Sequence, residues 1–202
     1  MLEIVRSGGW LMLPIILCSI IAAGIIIERL WSLQDRKVVP EHLVAKVWHM
    51  LKAGSLGEEE VRNLHNSSPL GRLLATGLAY RDRSRELVKE MVEDTGRHVA
   101  HELERYLNTL GTIAAISPLL GLLGTVVGMI QVFAVITAQG VGNPAAMAGG
   151  ISTALITTAA GLIVAIPALV AYRYLRGRVN EHVVRMEQEA IKLVEALHGE
   201  RA

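Results

Sequence analysis

The sequence predicts an all-α membrane protein with three transmembrane helices, the second and third continuing as long helices beyond the membrane. Three observations carry this. Residues 7–27 and residues 106–172 contain no charged side chain. Of the 202 residues, 51% are hydrophobic but only 4% aromatic, with 19 glycines, a composition suited to helices packed closely in lipid. The second uncharged stretch is too long for one span of about 20 residues and sufficient for two. Its interruption is visible at Gln139-Gly140-Val141-Gly142-Asn143-Pro144, a cluster of helix breakers between apolar runs.

Each element can be justified in order. Residues 1–28 form the N-terminal segment and first span, with its helix over residues 9–28. Glu3 and Arg6 cancel ahead of it, so the basic region of a cleaved signal peptide is missing, and the segment reads as an anchor. Trp10 and Trp31 fall near its two ends, where indole rings prefer to sit. Residues 29–105 carry nearly balanced charge and read as a cytoplasmic set of short helices. Leu43, Val44, Val47, Trp48 and Leu51 share a helix face that stops at Gly54. Ser55-Leu56-Gly57-Glu58 has the pattern of a capping box, and Ser68-Pro69 places a cap and a first-turn proline before a helix over residues 70–80. A further helix starts near Ser84. Its stripe of Val88, Val92, Thr95, Val99, Leu103, Tyr106 and Leu110 predicts unbroken entry into the membrane.

The second span lies in residues 106–138 (helix over 109–138), a short periplasmic hairpin in residues 139–146, and the third span in residues 147–173. Residues 174–202 form a helical tail running to about His198. Its Leu175, Val179, Val183, Met186, Ala190, Leu193 and Leu197 make a heptad seam, for an intramolecular partner or for another copy of the chain. His182 and His198 read as surface residues of this helix. Lys and Arg cluster at residues 29–37, 97–105 and 173–178, while the N-terminus offers only Arg6 and the hairpin no charge. Positive-inside then places the N-terminus outside and the tail inside.

Composition also excludes functions. With 20 Lys+Arg against 19 Asp+Glu, no nucleic-acid partner is implied, and the lipid bilayer is the partner the chain requires. Cys18 is the only cysteine, which excludes an internal disulfide, a cysteine zinc cluster and a Cys-x-x-Cys redox pair. No nucleophile–base pair, phosphate loop or metal spacing appears, so neither an enzyme nor a cofactor or metal is expected. Gly121-x-x-Gly124-x-x-x-Gly128 lies within a span and is not a nucleotide loop.

What the spans hold instead is hydroxyls and small residues. Thr112, Ser117, Gly121, Gly124, Thr125 and Gly128 lie on the second helix; Gly149, Gly150, Ser152, Thr153, Thr157, Thr158 and Gly161 lie on the third. Gly149, Thr153, Thr157 and Gly161 recur at four-residue spacing. Small stripes are packing faces, which together with the heptad tail predicts an oligomer whose unused surfaces meet between copies. Four hydroxyls within residues 152–158, with Pro118 and Pro167 each freeing a carbonyl inside its helix, allow a second reading as a polar path. That path has no titratable group of its own.

Ile116-Ser117-Pro118-Leu119-Leu120-Gly121-Leu122-Leu123-Gly124-Thr125-Val126-Val127-Gly128-Met129 resembles the second span of the MotA/TolQ/ExbB proton-channel family. The run from Gly150-Ile151-Ser152-Thr153 through Thr157-Thr158 to Ile166-Pro167-Ala168 resembles the third span, and Ser68-Pro69-Leu70-Gly71-Arg72-Leu73 is similar to a weaker motif outside the membrane. Three spans with the N-terminus outside suit the ExbB/TolQ branch, ExbB ahead of TolQ. The resemblance implies a stator in the bacterial inner membrane, with a homopentameric ring around the helix of an ExbD- or TolR-like single-span partner. That partner carries an intramembrane aspartate, and the motion is passed to a TonB- or TolA-like protein. It also implies pore-lining roles for Thr125 and Thr158, joined by Thr157, Thr153 and Ser152, and helix-packing roles for Gly121, Gly124, Gly128, Pro118 and Pro167. Thr153 departs from the family, which has glutamate there. The alternative is a non-conducting oligomeric scaffold that positions a single-span partner.

Overall fold

The computed structural model describes residues 8–53, 57–140 and 144–199, and these residues fold as eight helices without a strand among them. They are α1 (Met12–Ser32), α2 (Asp35–Val38), α3 (Glu41–Ala53), α4 (Glu58–Ser67), α5 (Pro69–Ala79), α6 (Arg85–Leu103), α7 (Leu107–Gln139) and α8 (Pro144–Leu197). Three of them, α1, α7 and α8, are long and apolar enough to cross a membrane. The chain divides into two units. The described residues through Glu28 and Tyr106–Tyr174 form an apolar unit; Arg29–Arg105 and the described residues from Leu175 onward form a charged one.

The charged unit has an ordinary hydrophobic core. Its centre is α5, whose Leu70, Leu73, Leu74, Ala75 and Leu78 are all buried. Ser68 caps this helix, its Oγ accepting from the Gly71 amide at 3.0 Å, and Pro69 occupies the first turn where its missing N–H costs nothing. The tail half of α8 contributes Leu175, Val179, Met186, Ala190 and Leu193, every one buried within the chain. The heptad seam is therefore filled by an intramolecular partner. Gly77 of α5 lies beneath Leu193; a methyl group there would meet Leu193 Cδ2 at 2.9 Å.

Three expectations need correction here. The helix after Gly54 is capped at Gly57, whose amide donates to Glu60 Oε2 at 3.0 Å; Ser55 and Leu56 lie outside the described residues. His182 is not on the surface but fully buried, because it falls on the seam between Val179 and Met186. His198 is half-buried, its Nδ1 3.0 Å from the Val194 carbonyl oxygen.

The stripe from Val88 to Leu110 does not form one helix. α6 ends at Leu103, Tyr106 adopts a left-handed backbone with φ 63°, and α7 begins at Leu107. Spacing alone would put Tyr106 on the buried face, yet it is 43% exposed, and Leu107 is buried instead. The break releases the Leu103 carbonyl, and the buried Arg29 guanidinium donates to it at 3.1 Å. A non-glycine residue in this conformation costs about 1–2 kcal/mol, which that charged hydrogen bond helps offset. By contrast, the third apolar run and the tail form one helix of 54 residues, begun by Pro144. The expected hairpin is correspondingly shorter: Gln139 ends α7, Gly140 follows with φ 70°, and residues 141–143 lie outside the described set.

Candidate functional site

The polar side chains of the apolar unit gather where α7 packs antiparallel to α8. The order of close approaches sets the register: Gly111 against Tyr172, Ser117 against Gly161, Gly121 against Thr158, Gly124 against Thr157, and Gly128 against Gly150 and Ala154. The backbones touch along this line. A Cβ added at Gly128 would lie 2.6 Å from the Gly150 carbonyl oxygen and 2.9 Å from Ala154 Cβ. One added at Gly124 would collide with the Thr157 side chain. Such close approach is how helices gain dispersion energy in lipid, where burial of apolar surface supplies no drive.

The face that α8 presents is not the four-residue stripe read from sequence. Its buried members are Gly150, Ala154, Thr157, Gly161, Ala165 and Ala168, stepping by four and three. A strict four-residue repeat overshoots a 3.6-residue turn and drifts around the helix. Gly149 accordingly has nothing within 4 Å of a built Cβ, and Thr153 is half-buried. This packing lies inside one chain, so the small faces do not supply the surplus surface from which oligomerisation was expected.

The hydroxyls are already engaged as donors. Ser117 Oγ donates to the Ile113 carbonyl at 2.8 Å, Thr125 Oγ1 to Leu122 at 2.6 Å, and Thr153 Oγ1 to Gly149 at 3.0 Å. Thr157 is fully buried under Gly124 and donates to Thr153 at 2.9 Å or Ala154 at 3.0 Å within its own helix. Thr158 differs. Its Oγ1 lies 3.1 Å from the Gly121 carbonyl oxygen across the helix pair and 3.1 Å from that of Ala154 on its own helix. One hydroxyl proton serves both, so Thr158 can exchange an intrahelical bond for an interhelical one.

The sequence-derived residues therefore divide. Thr158 and Gly121 meet, as do Thr157 and Gly124. Thr125 lies four residues, roughly 6 Å, further along α7 than Gly121, so Thr125 and Thr158 are not level. Ser152 is exposed, and Thr153 approaches the chain before α1, its Cγ2 3.8 Å from a Cβ built on Gly9. Pro118 is half-buried within α7 and Pro167 exposed on α8. Sequence reading passed over Ala154, a packing residue whose signal was its step of four from Gly150. Among the described residues no His, Cys, Asp and Glu cluster suits a metal ion. Each hydroxyl, having donated to a carbonyl, still has lone pairs with which to accept from water or from a neighbouring acid.

A model of the MotA/TolQ/ExbB proton channel family matches residues 65–188, a stretch that contains α7 and the apolar part of α8. The chain belongs to this family. Among its relatives, the biopolymer transport protein ExbB-like 1 of Synechocystis sp. is 39% identical over 177 residues, covering 84% of this chain and 68% of that protein. An ExbB homolog of Methanothermobacter thermautotrophicus is 33% identical over 189 residues, 92% of this chain and 66% of its own length. The Tol-Pal system protein TolQ of Haemophilus influenzae is 44% identical over 78 residues, 39% of this chain and 34% of that one. The chain thus spans about two thirds of the first two relatives. Together with its three apolar helices, family membership makes it a multi-pass membrane protein, nearer to ExbB than to TolQ.

Proposed function

We propose that this chain is the channel-forming subunit of a proton-driven stator. It works with an ExbD- or TolR-like single-span protein and passes motion to a TonB- or TolA-like protein at the bacterial inner membrane. The observation that carries the reading is the α7–α8 pair. Its apolar length lies within the residues matched by the proton channel family, it sets Thr157 and Thr158 against Gly124 and Gly121, and neither apolar run contains an acid. A proton path here needs a carboxylate from elsewhere, and a single-span partner with an intramembrane aspartate meets that need. In this reading Thr158 and Thr125, with Thr153 and Ser152, face water or the partner helix. Thr157, Gly121, Gly124 and Gly128 hold the pair together. Copies of the chain surround the partner, five by analogy with the family. The N-terminus is periplasmic, residues 29–105 and 174–202 are cytoplasmic, and the turn between Gln139 and Pro144 is periplasmic.

The test is partner-dependent proton uptake in vesicles at matched assembly. Thr158→Val keeps the shape and removes the hydroxyl, and is expected to assemble yet abolish uptake; Thr125→Val should be weaker and Thr153→Val milder still. Undiminished uptake in Thr158→Val removes the hydroxyl from the mechanism. One observation favours a second reading, a non-conducting scaffold: the hydroxyls of Ser117, Thr125, Thr157 and Thr158 each donate to a backbone carbonyl of the chain itself. Absence of partner-dependent uptake in the wild-type complex would select that reading.

A further inference from the structure

His182 is fully buried although its ring has two nitrogens that need partners. It lies on α8 between Arg178 and Arg185, on one helix face. Opposite it are Leu33, which follows α1, and Asp35, the first residue of α2. Nε2 lies 2.9 Å from the Leu33 carbonyl oxygen, and since a carbonyl only accepts, Nε2 carries the hydrogen. In the neutral ring Nδ1 is then a bare lone pair. It is buried with no hydrogen-bond partner, and Asp35 Oδ1 lies 3.9 Å away. An acceptor facing an acceptor inside a protein is an unfavourable pairing.

The surrounding charges are well defined. Asp35 Oδ2 takes a 2.8 Å bond from Arg178 Nη2, and Asp35 Oδ1 a 3.0 Å bond from Arg185 Nη1. The Arg178 hydrogen bond, more than the charges of Arg178 and Arg185, holds the Asp35 carboxyl below its ordinary 3.8, so it is ionised at neutral pH. Glu181 accepts from Arg178 Nη1 at 3.0 Å. Helix α5, which packs on α2, brings only Arg72, engaged by Glu102 at 2.8 Å. Helix α3 meets α8 lower down, beside Glu189 and Leu193. Two guanidiniums and two carboxylates thus make up the ionic cluster beside the ring, and their charges cancel.

We propose that His182 is a proton-responsive latch: a proton from solvent, bound at Nδ1, makes that nitrogen a donor toward Asp35 and closes the Leu33–Asp35 segment onto α8. No bond other than the new N–H forms, and the cluster gains one positive charge. The half-exposed Asp35 carboxylate provides the solvent side of the route. Histidine is the side chain suited to this over physiological pH. A native state that binds the extra proton is stabilised as pH falls, so the latch tightens on acidification and loosens as pH rises.

Hydrogen–deuterium exchange of the full chain in lipid nanodiscs, corrected for intrinsic rates, tests this between about pH 8 and pH 6. In the wild type, protection of residues 33–39 and 178–186 should rise as pH falls, by up to about tenfold per pH unit, the ceiling for one proton. His182→Gln keeps an amide donor for Leu33 but takes up no proton, and its protection should be flat. Asp35→Asn keeps the histidine and removes the negative charge that Nδ1–H would face. Its protection should be lower throughout and lose most of the slope, which serves even where the glutamine variant does not fold. A flat wild-type profile, or an undiminished slope in either variant, overturns the proposal.

Discussion

The two units of this chain are held together by different forces, and the residues at their helix contacts show it. In the charged unit α5, α6 and the tail of α8 meet through Leu70, Leu74, Val88, Val99, Met186 and Leu193, large side chains buried from water. In the apolar unit α7 and α8 meet through Gly121, Gly124, Gly128, Gly150, Ala154 and Gly161, while large residues such as Leu119, Ile130, Phe133, Ile163 and Val170 point outward. Where the surroundings are water, large apolar groups go inside; where they are lipid, contact comes from removing side chains. The lesson is that one helix, α8, follows both rules along its length.

The comparison is broken most directly by equal deletions in the two units. Leu193→Ala should cost about 2–5 kcal/mol, since both the transfer and cavity terms apply. Ile113→Ala, at a similarly buried position of α7, should cost clearly less, because in lipid only the cavity term remains. Denaturant titration of the two variants in matched detergent checks this, and equal losses would mean that both cores answer to the same force. Next in size is Gly124→Leu, which overpacks the helix pair by roughly 1–3 kcal/mol. Gly149→Leu, with open space around it, should be close to neutral; if both assemble equally well, the close register of α7 and α8 is not what holds them.

Thr158→Val should lower the stability of the apolar unit by only about 1 kcal/mol through its cross-helix bond. Thermal unfolding at matched lipid content measures it, and a far larger loss would make Thr158 a structural rather than a functional hydroxyl. Smallest is the acid-range effect of the half-exposed Asp35 carboxylate. A carboxyl held below its ordinary value by Arg178 adds stability that is complete above that value and disappears as pH falls through the lowered one. Asp35→Asn should therefore remove part of the acid-induced destabilisation of the charged unit below about pH 4, and leave the apolar unit unaffected.

Much of this was legible because it is local. Ser68-Pro69 specifies a cap and a first turn without reference to the rest of the chain, and the uncharged runs specify helices by solvent alone. Which residues of α8 face α7 was legible in kind but not in phase: Gly149 and Gly150 are equally small, and only the partner helix selects the second. The break at Tyr106 was hidden because the apolar spacing continues through it, and what permits it is Arg29, far away in sequence. His182 was misread for the same reason; a histidine on a seam is buried only when a carbonyl such as that of Leu33 arrives to meet it.

The contrast between the jointed α6–α7 segment and the unbroken α8 has a mechanical consequence. At 1.5 Å per residue, the 54 residues of α8 make a shaft of roughly 80 Å, far longer than the ~30 Å hydrocarbon layer. Apart from the bond that Pro167 cannot make, its ladder of backbone hydrogen bonds runs on to Val179, His182 and Met186, and such a ladder resists local twisting. At residues 104–106 that ladder is interrupted and the backbone reverses hand. No such ladder resists twisting at that point. The chain thus carries one long helix and one broken segment side by side in its sequence.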